Sequence, residues 1–163
     1  MPPFDSAEFR RVLGHYPTGV TVVTARSDDG PVGLAIGSFG SVSLDPPLVM
    51  FCPGKSSSSW PAIEASGSFC VNVLAEDQAT VSSLFAGRDP DKFADVSWGT
   101  RATGSPVIEG CLAWIDCTIE VVHEAGDHWI VVGRVVDLGV GRPDEGPLIF
   151  FKGGYGGVRQ PSG

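Results

Sequence analysis

The sequence predicts a mostly β, antiparallel barrel or sandwich flanked by short helices. Short Val-, Ile- and Thr-rich runs recur along the chain, and 22 glycines with 13 prolines in 163 residues cut them to strand length. The regular strand–helix alternation that a doubly wound dinucleotide fold requires is missing. The length suits one domain, 1–163 with its core at about 8–155. No linker, internal repeat or block of like charge divides it.

A helix opens the chain. Asp5 can cap it while Glu8 reaches back, and Phe4 can staple onto Phe9. Phe9, Val12, Leu13 and Tyr16 form one apolar stripe, stopped by Gly14 and Pro17. Residues 20–25 read as a strand, and Asp28-Asp29-Gly30-Pro31 as its hairpin turn. Residues 32–39 continue as a glycine-punctured strand, which suits close ligand approach or a bulge. After the corner at Asp45-Pro46-Pro47, residues 48–52 form a buried strand.

Pro61 and Gly67 frame a short helix after Trp60, and residues 69–74 form a strand. Residues 76–86 read as a helix that buries Val81, Leu84 and Phe85. Residues 88–110 read as loop, plugged down by Trp98, Val107 and Ile108. Two long β segments follow, 111–123 and 129–138, joined by Glu124-Ala125-Gly126-Asp127. On the first, Ala113, Ile115, Cys117, Ile119 and Val121 alternate with Trp114, Asp116, Thr118 and Glu120, the pattern of a half-exposed antiparallel strand. Residues 147–152 form a last strand before Gly153-Gly154-Tyr155-Gly156-Gly157, for a sum of about seven strands and three short helices.

Charge and patterning remove several function classes. Eleven basic and 19 acidic residues leave a net charge of -8 with no basic stripe, which argues against nucleic acid. The N-terminus lacks the basic and apolar regions of a signal peptide, and no apolar run approaches membrane-spanning length. Cys52, Cys70, Cys111 and Cys117 match no zinc or redox spacing and read as buried reduced thiols of a cytoplasmic protein. A Cys111–Cys117 disulfide does not suit a straight strand, which would hold the two about 20 Å apart. His15, His123 and His128 show no metal-ligand spacing, so no metal is expected, and no nucleophile elbow is present.

The richest block is 33–60. Lys55 with Ser56, Ser57, Ser58 and Ser59 offers an ammonium, hydroxyls and backbone N–H groups to a phosphate; by itself the run reads more readily as a polar loop with an ordinary serine cap. The stretch Ser38, Phe39, Gly40, Ser41, Val42, Ser43 suits close contact with a planar ring, although a barrel corner also wants Gly and Ser. His128 stands at a turn before an apolar strand, placed to reach a cleft or to face solvent. Tyr155 between glycine pairs is either an aromatic cover or part of a disordered tail.

In order along the chain stand PTGVTVVT at 17–24, the glycine-rich 33–39, SVSLDPPLV at 41–49, FCVNVL at 69–74, Phe85-Ala86-Gly87, Asp91-Lys92-Phe93, Gly126-Asp127-His128, Gly133-Arg134-Val135 and Pro147-Leu148-Ile149. In these the chain resembles the flavin reductase family with an FMN-binding split β-barrel, the small reductase components of two-component flavin monooxygenases. The resemblance implies a Greek-key antiparallel split barrel that forms a homodimer, with flavin near the subunit interface. The isoalloxazine would lie against Ala35, Ile36, Gly37, Ser38, Phe39, Ser41, Val42 and Ser43, with Asp45 and Pro46 shaping the turn beneath it. Cys52, at the end of the neighbouring strand, belongs to the same cofactor-binding set. The phosphate would be held around Lys55, Ser56 and Ser59. Asn72 and Phe85 would lie near the flavin or nicotinamide, and Tyr155 near the cofactor site.

The implied activity is reduction of FMN, with FAD or riboflavin as further acceptors, by NADH or NADPH. Hydride passes from nicotinamide C4 to flavin N5, and reduced flavin goes to a separate monooxygenase. Ring stacking supplies much of the catalysis. Backbone donors of Ser41, Val42 and Ser43 would face charge developing near N1 and O2. His128, the catalytic candidate, orients or contacts the nicotinamide and is not an obligatory acid or base. The alternative is a flavin-binding electron-transfer protein without reductase activity. Many relatives carry a Thr-Ala-Asn-like trio where this chain has Ala35-Ile36-Gly37, which leaves the backbone to hold the flavin at that edge.

Overall fold

The computed structural model describes residues 2–162, so the end residues of the expected 1–163 span lie outside the described residues. Helix α1 (Ser6–Leu13) is capped by Asp5, whose carboxylate accepts the Glu8 N–H at 2.8 Å. The Glu8 side chain does not return to the cap; it takes Arg11 as its partner. Phe4 does stack on Phe9, at 6.3 Å between ring centres. The expected apolar stripe forms, yet no residue of α1 is buried, and Phe9, Val12 and Leu13 stay about half exposed. Apart from the Phe4–Phe9 stack, the stripe stays largely uncovered among the described residues.

Twelve strands follow: β1 (Thr18–Gly19), β2 (Thr21–Ser27), β3 (Gly30–Ile36), β4 (Gly40–Leu44), β5 (Pro47–Phe51), β6 (Ser68–Val73), β7 (Trp98–Thr100), β8 (Pro106–Ile108), β9 (Ala113–Ala125), β10 (His128–Val140), β11 (Ile149–Phe151) and β12 (Gly154–Gly156). Between them lie α2 (Trp60–Ser66), a 3-10 turn (Glu76–Gln78) and α3 (Ala79–Ala86). Seven strands build one antiparallel sheet in the order β3-β2-β6-β9-β10-β5-β4. The segment expected as one strand, 32–39, stops at Ile36, and residues 40–44 make a separate edge strand in place of a loop. The expected loop at 88–110 contains the small β7–β8 hairpin.

The sheet has to curl. Its two edge strands, β3 and β4, are consecutive in the chain and joined only by residues 37–39. Six interstrand steps in a flat sheet would separate these edges by about 29 Å. A link from Ile36 to Gly40 spans at most about 14 Å. The sheet therefore rolls into a barrel, and because β3 and β4 do not pair, the barrel stays split.

Side chains alternate across the wall. Val23, Ala25, Leu34, Ile36, Phe51, Phe69, Val71, Cys117 and Val131 fill one core together with Trp60 and Ile63 of α2. Val20, Val22, Leu74, Phe85, Phe93, Ile108 and Leu148 form a second core on the other side. Only the far half of β9, from Glu120 on, is largely exposed; at its start Trp114, packed with Cys70, Val107 and Cys111, and Asp116 are buried as well as Cys117. Asp116 accepts Thr103 N–H at 2.8 Å and the Thr103 hydroxyl at 2.6 Å, which satisfies a carboxylate that burial would otherwise penalise. All four cysteines are free thiols. Burial, with the Asp116 carboxylate nearby, pushes Cys117 up to about 12 and raises Cys70 still further, so neither is a reactive thiolate.

No helix among the described residues is long and apolar enough to cross a membrane. Leu44, Leu138 and Val140 are large apolar side chains left more than half exposed on β4 and β10.

Gly133 lies at a register shift of β10, where a Cβ would meet Phe69 Cε1 at 2.9 Å in the packed barrel interior. Gly133→Ala is expected to destabilise the fold by about 1–3 kcal/mol through overpacking. Urea denaturation should show a lowered midpoint with an unchanged slope, and an unchanged midpoint would contradict this packing.

Candidate functional site

The site grows from the unpaired edge of strand β3. Leu34 and Ile36 point into the barrel, so Ala35 between them faces the second layer, where it is half buried. Above Ala35 lies a cleft of about 190 Å³ lined by Leu34, residues 56–59, residues 85–88 and Lys92. A groove of about 330 Å³ continues along residues 31–33 and shares Ser58, Ser59, Arg88 and Lys92 with it. Phe85, 1% exposed, lies under the cleft against Gly33; a Cβ there would come within 3.0 Å of its ring. Phe93 and then Trp98 stack edge-on behind Phe85, at 4.9 and 6.1 Å between ring centres.

The serine run divides its labour. Ser57 accepts the N–H groups of Ser59 and Trp60 at 3.2 Å and so does the capping expected of the run. The hydroxyls of Ser56, Ser58 and Ser59 make no hydrogen bond among the described residues, leaving them free for a ligand. The cations beside them are not the expected one. Lys55 turns away: its ammonium pairs with Glu124 at 2.9 Å, lies 4.9 Å from the Trp129 ring centre, and does not line the cleft. Arg88 and Lys92 line it instead. Lys92 donates to the Gly33 and Phe85 carbonyls at 3.1 and 3.0 Å, and its partial burial lowers its pKa below the ordinary lysine value despite Asp89 nearby. Arg88 forms no ion pair among the described residues. Neither cation carries a local sequence signal: Asp91-Lys92-Phe93 stands out as a motif, but nothing local says that it folds back onto β3.

His128 comes to the same corner. Lys55 N–H donates to the Asp127 carbonyl at 2.9 Å and Gly54 bridges to His128, so the start of the serine loop is tied to the β9–β10 turn. The ring bonds the Asp127 carboxylate through Nδ1 at 2.7 Å, which holds that carboxyl below its usual range. Its Nε2 faces Gly54, 3.7 Å from where a Cβ would stand, with the Ser56 hydroxyl beside the same point. Its side chain is 52% exposed, so it stands at a rim, available to a second ligand.

The expected residues of the 37–46 stretch fall into three groups. Gly37, Ser38 and Phe39 form the link between the barrel edges. Ser38 Oγ accepts the Cys52 N–H at 2.9 Å and donates to the Cys52 carbonyl at 3.3 Å, so these two residues bind each other. Ser41, Val42 and Ser43 lie on edge strand β4, where a register shift between Ser41 and Ser43 loosens the pairing with β5. Asp45 and Pro46, joined by a cis peptide, make the β4–β5 turn and do not line the cleft.

Asn72 is a correction. It is wholly buried, its Nδ2 donates to the Val22 carbonyl at 3.0 Å, and its Oδ1 accepts Ile108 N–H at 2.8 Å. Its polar atoms hold β8 against β6 and cannot reach a bound molecule. Tyr155 belongs to an ordered β11–β12 hairpin, not to a disordered tail. Its hydroxyl meets Ser82 of α3 at 2.8 Å, and its ring packs edge-on against Phe150.

Can this cleft hold a flavin phosphate? Three uncommitted hydroxyls and two cations converge on one opening beside an edge strand, a donor set suited to a phosphate dianion. Residues 13–159 match the flavin reductase like domain. The chain belongs to this family. It is 53% identical over 154 residues to the flavin-dependent monooxygenase reductase subunit HsaB of Rhodococcus jostii, covering 94% of this chain and 78% of that protein. The crystal structure of nitrilotriacetate monooxygenase component B from Mycobacterium thermoresistibile superposes with a TM-score of 0.93 at 51% identity, covering 98% of this chain and 89% of that one. The NADH:FAD oxidoreductase SgcE6 of Streptomyces globisporus, in complex with NAD and FAD fragments, superposes at 0.91 with 36% identity, covering 99% and 97%. The mostly β split barrel with short flanking helices is the fold of this family.

Proposed function

We propose that this chain, an NAD(P)H:flavin oxidoreductase, holds flavin along the β3 flank with the phosphate end in the serine cleft, and passes reduced flavin to a separate monooxygenase. One observation carries the placement: the free hydroxyls of Ser56, Ser58 and Ser59 meet Arg88 and Lys92 beside Ala35. When bound, flavin supplies the N5 that accepts hydride from nicotinamide C4. FMN, FAD and riboflavin are its candidate acceptors, and NADH or NADPH its reductant.

The protein's share is binding and placement. Ser58, Ser59, Arg88 and Lys92 neutralise and bond a phosphate, so the part of the ligand that does not react supplies orientation. Ala35, Ile36 and Gly37 give the ring a small, apolar strand edge whose polar groups are backbone only. Ser41, Val42 and Ser43, on the loosened β4 edge, are the proposed N–H donors toward negative charge on the ring. Ser38 and Cys52 fix the loop between those two edges, and Asp45 with Pro46 fixes the turn below it. Asp127 holds His128 by Nδ1, leaving Nε2 to contact the nicotinamide carboxamide from the rim. Tyr155, clasped to Ser82, closes the far side of α3. Lys55 acts through the Glu124 pair, anchoring the loop.

Pairing of two copies into a homodimer would cover apolar side chains left bare at Leu44, Leu138 and Val140, with flavin near the interface. The four free thiols suit a cytoplasmic setting.

The direct test is oxidation of NADH and of NADPH with FMN, FAD and riboflavin each added. Stimulation by free flavin is expected, and no oxidation in any combination would overturn the reading. The phosphate placement makes a pH prediction. A dianion favours protonated Lys92, whose pKa in the free protein is lowered by burial. The advantage of FMN over riboflavin, about tenfold for one charge-assisted contact, should be full from about pH 7, where the phosphate is a dianion, up to that lowered pKa, and fade as pH rises through it. Equilibrium titrations giving a ratio that is flat with pH, or unchanged in Lys92→Met, would contradict it. His128→Ala should raise KM for the nicotinamide several-fold, about 1 kcal/mol of lost contact. Steady-state kinetics with both KM and turnover unchanged would remove the role.

A further inference from the structure

A second cleft, of about 340 Å³, opens between the β7–β8 hairpin and the ends of β9 and β10, and shares no residue with the serine cleft. Its walls are Trp98, Trp114, Arg101, Arg142 and the backbone of Gly110 and Gly141. Trp114, 9% exposed, is the floor beneath Arg101. One side of the indole lies on Gly139, where a Cβ would stand 2.6 Å from Cζ2, and the Arg101 guanidinium lies over it at 4.8 Å from the ring centre. Gly139 is the cross-strand partner of Trp114, so a glycine stands where only a glycine lets the ring lie flat.

The two arginines differ in what is left of their charge. Arg142 is consumed: it pairs with Asp77 through two N–H groups at 2.6 and 2.9 Å and donates to the Gly110 carbonyl at 2.8 Å. It fixes the wall. Arg101 makes one bond, to its neighbour's carbonyl at 3.2 Å, and no ion pair among the described residues. Glu109, the one acid lining the cleft, is exposed. An unpaired guanidinium parked on an indole, in an otherwise acidic chain of net charge -8, offers a flat cationic face and spare N–H donors in one place. A second indole, Trp98, stands on the opposite hairpin of the same opening.

We infer that this cleft is a second ligand site, which takes a small planar aromatic carboxylate or a similar aromatic anion. The ring lies against Trp98, and the carboxylate pairs with the Arg101 guanidinium that covers Trp114. The volume suits one substituted benzene ring and is at the low end for ligand pockets.

Ligand-observed NMR titration of the full-length protein with benzoate tests this, with benzamide and cyclohexanecarboxylate as comparators. Saturable benzoate binding is expected, weaker for both comparators. Arg101→Gln should weaken it about tenfold, the loss of one charge-assisted contact, while leaving flavin reduction unchanged. Saturating FMN should not displace benzoate. Absence of saturable binding, equal binding of cyclohexanecarboxylate, an undiminished affinity in Arg101→Gln, or displacement by FMN would each overturn the site. Trp98→Ala gives an independent check on the opposite wall and should weaken benzoate more than cyclohexanecarboxylate.

Discussion

The short link between the two outermost strands governs this molecule. Residues 37–39 are too few to cross a flat seven-stranded sheet, so β3 and β4 must be brought round to one another. Closure without pairing leaves two strand edges facing a seam. Backbone donors and acceptors that a sealed barrel would use up remain available there, and the chain bends through Gly37 and the Ser38–Cys52 bonds at that place. An edge that would invite aggregation in another fold is here the surface proposed to receive the planar ring.

The cations arrive by a different route. Helix α3 packs on β3, and the chain leaving it runs back over the strand, so Lys92 can reach the Gly33 and Phe85 carbonyls. That places a partly desolvated ammonium opposite serines from the start of α2. The site therefore joins three segments distant in sequence, each held by its own core contact: Ile36 in the barrel, Trp60 in its plug, and Phe85 in the outer layer. An overall charge of -8 then matters less than one local pair of cations.

Periodicity and turn chemistry made much of the fold legible. The capped first helix, the hairpin at residues 28–31, the long β9–β10 pair and the buried 48–52 strand could be read from spacing alone. What spacing could not supply was the second layer. It turned the start of the expected exposed face of β9 inward, with Asp116 buried behind Thr103, and it made Asn72 a core fastener although it lies in a recognisable motif. The α1 stripe shows the reverse: an amphipathic pattern promises a buried face without saying which molecule buries it. Of the residues around the proposed cleft, Ser56, Ser59, Ala35 and His128 stand out in the sequence. Arg88 and Lys92 do not, because a cation's partner across the fold leaves no local signature, and the same holds for the Lys55–Glu124 pair.

A crystal structure of the protein with FMN bound is the decisive measurement. The phosphate is expected among Ser58, Ser59, Arg88 and Lys92, with Lys92 Nζ within hydrogen-bond distance of a phosphate oxygen and the ring on the β3–β4 seam. A phosphate held by Lys55 after its release from Glu124, with Arg88 and Lys92 untouched, would contradict it.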